Sequence, residues 1–97
     1  MSQFIRGGLP WHVNGTTANN AVEKWPVTGG RTNWLRFVNT SANAIVLTLT
    51  TEADATAGVG LNVAAGAAVE LFVEVIEFWT KAAAGASTFQ ALAACRT

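Results

Sequence analysis

The chain is short of the residues from which sites and staples are made. A single cysteine, Cys95, excludes an intramolecular disulfide. A single histidine, His12, leaves little from which to assemble a metal or acid–base centre, because zinc sites and general acid/base pairs draw on several converging His, Cys or acidic side chains. Tyrosine is absent, and charged residues make up 12% of the sequence, about half the usual share. The six basic and six acidic residues cancel and form no block of either sign, so the phosphate-neutralising excess of a nucleic-acid binder is missing and nucleic acid is not expected as a partner. No run reaches the ~18 apolar residues of a membrane helix, so no membrane association is expected. The opening "MSQFIRGGLPWHVNG" lacks the basic-then-apolar pattern of a secretory signal, so synthesis in a cytoplasm is expected, and the triplets Asn14-Gly15-Thr16 and Asn39-Thr40-Ser41 read as chance glycosylation matches. The glycines never form a phosphate-cradling loop between a strand and a helix. No cofactor and no metal are expected, and the chain does not read as an enzyme.

What is present favours burial. Half of the sequence (51%) is hydrophobic, with four tryptophans and five phenylalanines among 97 residues. That length suits one domain, which would bury roughly 60–65% of its unfolded surface. A surface with so little charge suggests that part of it is covered by other protein.

The sequence divides near residue 31. Residues 1–31 hold both prolines, five of the nine glycines and the polar cluster "NGTTANN", with apolar residues scattered singly. This composition predicts an extended N-terminal arm or long loop with at most short strands. Phe4, Leu9, Trp11 and Trp25 are too apolar for a solvated tail and are the candidate interface residues, with the two tryptophans as anchors.

Residues 32–97 read as an all-β domain. "NWLRFVN" alternates Leu35 and Phe37 against Trp34, Arg36 and Val38, and "AIVLTLTT" alternates Ile45, Leu47 and Leu49 against Val46, Thr48 and Thr50. With "TSAN" between them, these two predict a hairpin. "VGLNV", a turn at "AAGA" and a last strand over 87–93 complete a pattern of strands every 8–12 residues. The expected fold is a small antiparallel β-sandwich or jelly-roll-like barrel with the N-terminal arm appended.

The stretch "ELFVEVIEFW" (70–79) is ambiguous. Glu70, Glu74 and Glu77 fall on one stripe of a helix, yet Val69, Val73, Val75 and Ile76 are β-branched and no N-cap precedes the run. As a strand, the alternation holds through Glu74 and loses phase at Glu77. A corner near Val75 and Ile76, with the chain passing from one sheet to the other and the glutamates outside, restores it.

The same residues offer few sites. A pocket joining His12 to one of Glu70, Glu74 or Glu77 is the best that an enzyme could assemble, and it ranks last. The tryptophans could stack on sugar rings, which keeps a carbohydrate-binding module as an alternative, but Trp34 and Trp79 read as strand or core residues.

At "LRFVNTSANAIVLTLTTEADATAGVGLNVAAGAAVELFV", followed by "FWTKAAAGASTFQALA", the chain resembles small virion proteins of tailed bacteriophages, in which a "VNTS"-type turn, a "GxxL…AAG" turn and an aromatic strand before "AAGAST" recur in compact β-sandwiches. The resemblance is one of layout over residues 34–93. It implies a virion component, a capsid decoration or cement protein that contacts the major capsid protein or another virion protein and forms a homo-oligomer, a trimer being favoured. A tail, connector or collar component is the same structural expectation at another place in the particle.

Overall fold

The computed structural model describes residues 5–18, 20–28, 32–82 and 84–96. Within them lie eight strands: β1 (Ile5–Thr17), β2 (Val22–Pro26), β3 (Trp34–Asn39), β4 (Ile45–Thr48), β5 (Leu61–Val63), β6 (Ala68–Leu71), β7 (Glu77–Lys81) and β8 (Ser87–Arg96). A single helical turn, α1 (Glu52–Thr56), interrupts them. The strands form two four-stranded sheets of order β1-β8-β3-β6 (sheet A) and β2-β7-β4-β5 (sheet B).

Every pairing is antiparallel, and it joins β1 to β8, β2 to β7, β3 to β6 and β4 to β5. The first half of the chain thus runs against the second like one long hairpin. Two further pairings, β3 with β8 and β4 with β7, fold that hairpin into two layers. This is the strand order of a jelly roll, and the fold is a small all-β sandwich.

Two expectations are corrected by this topology. β3 and β4 are not a hairpin, because they lie in different sheets. Their alternation shows that each has a buried face but cannot say which sheet supplies its neighbours. Nor are the described residues of 1–31 an arm: β1 and β2 are the edge strands of the two sheets, and β1 is the longest strand described. The prolines that suggested a loop sit in these edge strands, where a missing N–H need not break a ladder. The β1–β8 register shifts between Arg6 and Trp11, across the Gly7, Gly8 and Pro10 segment, which scrambled the alternation that would have marked a strand.

The inward residues follow the parity of the strands. Leu35 and Phe37 on β3, Ile45 and Leu47 on β4, Phe78 on β7, and Phe89, Ala91 and Ala93 on β8 form the buried core with Val63 and Val75. The rings of Phe37 and Phe89 stack at 4.8 Å, and Phe78 meets both edge-on at 6.2 Å. The edge strands cover this cluster with Trp11, edge-on to Phe78 at 5.8 Å, and Trp25, edge-on to Phe89 at 5.0 Å. Gly15 makes room for that arrangement, since a Cβ there would run into the Phe89 ring and lie 2.9 Å from the Trp25 ring. Gly15→Ala is therefore expected to cost about 1–3 kcal/mol through forced movement of two packed aromatics, measured by urea unfolding. An unchanged midpoint would show that the β1 edge yields freely there.

Buried polar groups fasten the layers. The Thr17 and Thr80 hydroxyls lie 2.5 Å apart, one from each sheet, and Trp25 Nε1 donates to Thr80 Oγ1 at 2.9 Å. At one end of the sandwich, where residues 72–76 cross from sheet A to sheet B, Thr32 Oγ1 donates to the Val75 carbonyl at 2.6 Å. The expected corner in 70–79 is therefore present, with Val75 turned inward and Ile76 outward. At the opposite end, Asn39 is fully buried and ties the β3–β4 connection to β5. α1 is capped by Thr51, whose hydroxyl accepts from the Asp54 N–H at 3.1 Å. The turn packs against β2, β4 and β7 and buries Ala55.

Candidate functional site

Alternation decides what each sheet shows to the outside. On sheet A, His12, Leu92, Arg36 and Glu70 form one row across β1, β8, β3 and β6, as the pairings His12 with Leu92, Leu92 with Arg36, and Arg36 with Glu70 require. The next row is Asn14, Gln90, Val38 and Ala68. Between these rows lies a shallow depression of about 330 Å³, lined by His12, Arg36, Val38, Gln90, Ala91 and Leu92. On sheet B, the outer side carries the Lys24–Glu77 ion pair at 3.1 Å and Trp79, which is buried.

The three glutamates do not converge. Glu70 belongs to the outer face of sheet A, where its Oε2 accepts from Trp34 Nε1 at 2.7 Å; Glu74 is exposed in the corner; Glu77 pairs with Lys24 on sheet B. His12 stands three strand spacings from Glu70, roughly 14 Å, so no proton relay joins them. Among the described residues, no group of three or more His, Cys, Asp or Glu could hold a metal ion. Cys95 is a partly buried free thiol near the end of β8.

The candidate interface residues divide. Phe4 and the side chain of Leu9 lie outside the described residues. Trp11 and Trp25 are half-buried over their own aromatic core, so their main contacts are intramolecular. Trp34 and Trp79 are buried. None of the four tryptophans stands out as a flat, exposed ring of the kind on which sugars stack.

The apolar surface that is exposed lies elsewhere. Among the described residues, Val59 (57%), Leu61 (43%), Phe72 (69%), Val73 (43%) and Ile76 (73%) are the exposed large hydrophobics. The pairings place all five at the same end of the sandwich. β6 ends there opposite the start of β3, β5 starts there opposite the end of β4, and residues 72–76 cross between the sheets there. Leu61 shares the inward parity of Val63 yet stays exposed at the start of β5, whereas Phe72 continues the outward parity of Glu70 just beyond the end of β6.

The fold defines a class, the eight-stranded jelly-roll sandwich. No protein-family model, no curated protein and no solved structure matches the chain.

Proposed function

We propose that the protein is a structural subunit of a larger particle and that its apolar end packs against further copies of itself. The observation that carries this reading is the group of five exposed hydrophobic residues at one end of the sandwich. Aliphatic and aromatic side chains of this size, exposed to these degrees, together present on the order of 500 Å² of surface, in the upper part of the range for the largest patch on a monomer and often functional at that size. A stable interface needs ~800 Å² from each partner, so this patch with its polar rim is of the right scale. Zero formal net charge removes the repulsion that would keep copies apart. Jelly rolls serve in viral capsids as well as in lectins and cupins, so the fold is compatible with a shell component without requiring one. The layout shared with tailed-phage virion proteins suggests the particle: a phage head, with the protein as a decoration or cement subunit on the major capsid protein.

Light scattering on the full chain tests self-association. The unmodified protein is expected to give an oligomeric mass, and the double variant Val73→Glu, Ile76→Glu the monomer mass, with a cooperative unfolding transition retained. A monomeric parent protein, or an oligomer untouched by two added charges, would refute the proposal. Deletion of residues 1–31 is not a substitute, because it removes an edge strand from each sheet.

A further inference from the structure

We infer that the outer face of sheet A carries a carboxylate-binding site centred on Arg36. This is independent of the apolar end, since the two occupy different surfaces. Arg36 and His12 flank Leu92 in one row, about 10 Å apart at the backbone across two strand spacings, a distance that a guanidinium and an imidazole can close from either side. Gln90 lies in the next row and adds an amide, while Val38 and Leu92 supply an apolar floor. Among the described residues the lining thus holds a fixed cation and further hydrogen-bonding groups but no acid. Among the described residues Arg36 makes no ion pair, and its own cross-strand neighbour, Glu70, is drawn towards Trp34 by the 2.7 Å indole bond.

The chemistry of the ligand follows from that lining. A guanidinium offers two parallel N–H donors matched to the two oxygens of a carboxylate. The depression, at about 330 Å³, accommodates a glutamate-sized group. The carboxylate could be that of a small molecule or of an acidic side chain on another protein, and the two sources differ in valency rather than in contact chemistry.

Amide chemical shifts of the ¹⁵N-labelled full chain, titrated with N-acetylglutamate and separately with a hexaglutamate peptide, test the site. Shifts confined to residues 12, 36, 38 and 90–92 are expected with at least one probe. Tighter binding of the peptide would assign the source to an acidic protein segment, and equal binding per carboxylate to a small acid. Arg36→Gln is expected to weaken binding about tenfold or more. Arg36→Lys, which keeps the charge but loses the fork, is expected to fall between. Spectra of both variants that match the parent elsewhere would show that the fold is intact. Absence of shifts with both probes, binding undiminished in Arg36→Gln, or identical shifts with sulfate would each overturn the assignment.

Discussion

Phe37→Ala is expected to lower stability by about 3–5 kcal/mol and the melting temperature by roughly 20 °C. Phe37 has no exposed surface, stacks on Phe89 at 4.8 Å and meets Phe78 edge-on at 6.2 Å, so its removal strips the central ring from the contact between the two sheets. The neighbours cannot close the gap cheaply. Phe37 lies on β3, which is paired on both sides by β6 and β8, and the backbone is therefore held by two ladders. A domain of this size has a total stability of about 5–15 kcal/mol, so the loss is a large fraction of it. Ile76→Ala, compared at a dilution at which the protein is monomeric, is the matched comparison: the residue is 73% exposed, and its change should then stay within about 0.5 kcal/mol. Calorimetry of the two variants checks both values. Similar losses in the two would mean that the aromatic cluster is not the centre of the core.

The contrast between these residues marks how far the fold could be read in the sequence. Leu35, Phe37, Ile45 and Leu47 announced themselves by strict alternation within single strands, and all four are buried. Alternation is a local property, however, whereas partner choice depends on contacts far apart in the chain. That is why β3 and β4 looked like a hairpin although they belong to opposite sheets. The edge strands were hidden for a different reason. Glycine and proline weaken the local signal wherever they occur, yet at an edge they are tolerated, and in β1 they coincide with the register shift before Trp11. α1 did leave a signature, the capping pattern Thr51-Glu52-Ala53-Asp54, but five residues are too few for a helical period to show.

The surface sites were less legible than the core. His12, Arg36 and Gln90 are separated by up to 78 positions and become neighbours only once the registers of β1 with β8 and of β8 with β3 are fixed. A register slip of one residue would turn each of these side chains into the core, so no reading of a single strand could have joined them. The glutamates show the converse case. Three acids close together in the chain look like a cluster, but the sheet-to-sheet corner distributes them over opposite faces.

The same corner-and-turn economy makes Asn39 the most sensitive polar position. Its side chain is fully buried and makes four hydrogen bonds: Nδ2 donates to the Asn43 carbonyl at 2.7 Å and the Val63 carbonyl at 3.0 Å, while Oδ1 accepts from the Ser41 N–H at 2.9 Å and the Ser41 hydroxyl at 2.7 Å. Every capacity of the amide is used, and the bonds join a strand of sheet A to one of sheet B. Asn39→Leu keeps the volume but leaves buried partners unpaired, at a cost of about 1–3 kcal/mol for each group that water cannot reach. A total loss of about 3 kcal/mol or more is expected in urea unfolding, with the m-value unchanged.

Asn39→Asp separates the hydrogen bonds from the packing. Its oxygens can still accept from Ser41, but an ionised carboxylate would face the two carbonyls that Nδ2 now satisfies. Burial and those carbonyls both disfavour the charged form, so the folded protein holds the proton more tightly than the unfolded chain. Stability then falls as pH rises, because the native state binds more protons than the unfolded one. The variant should lie closest to the parent at acid pH, where the protonated acid can donate to one carbonyl, and furthest from it at neutral pH. Urea unfolding of parent and variant at both pH values measures the difference directly. An equal deficit at each would mean that water reaches position 39, and that the link between the sheets at this end rests on backbone contacts alone.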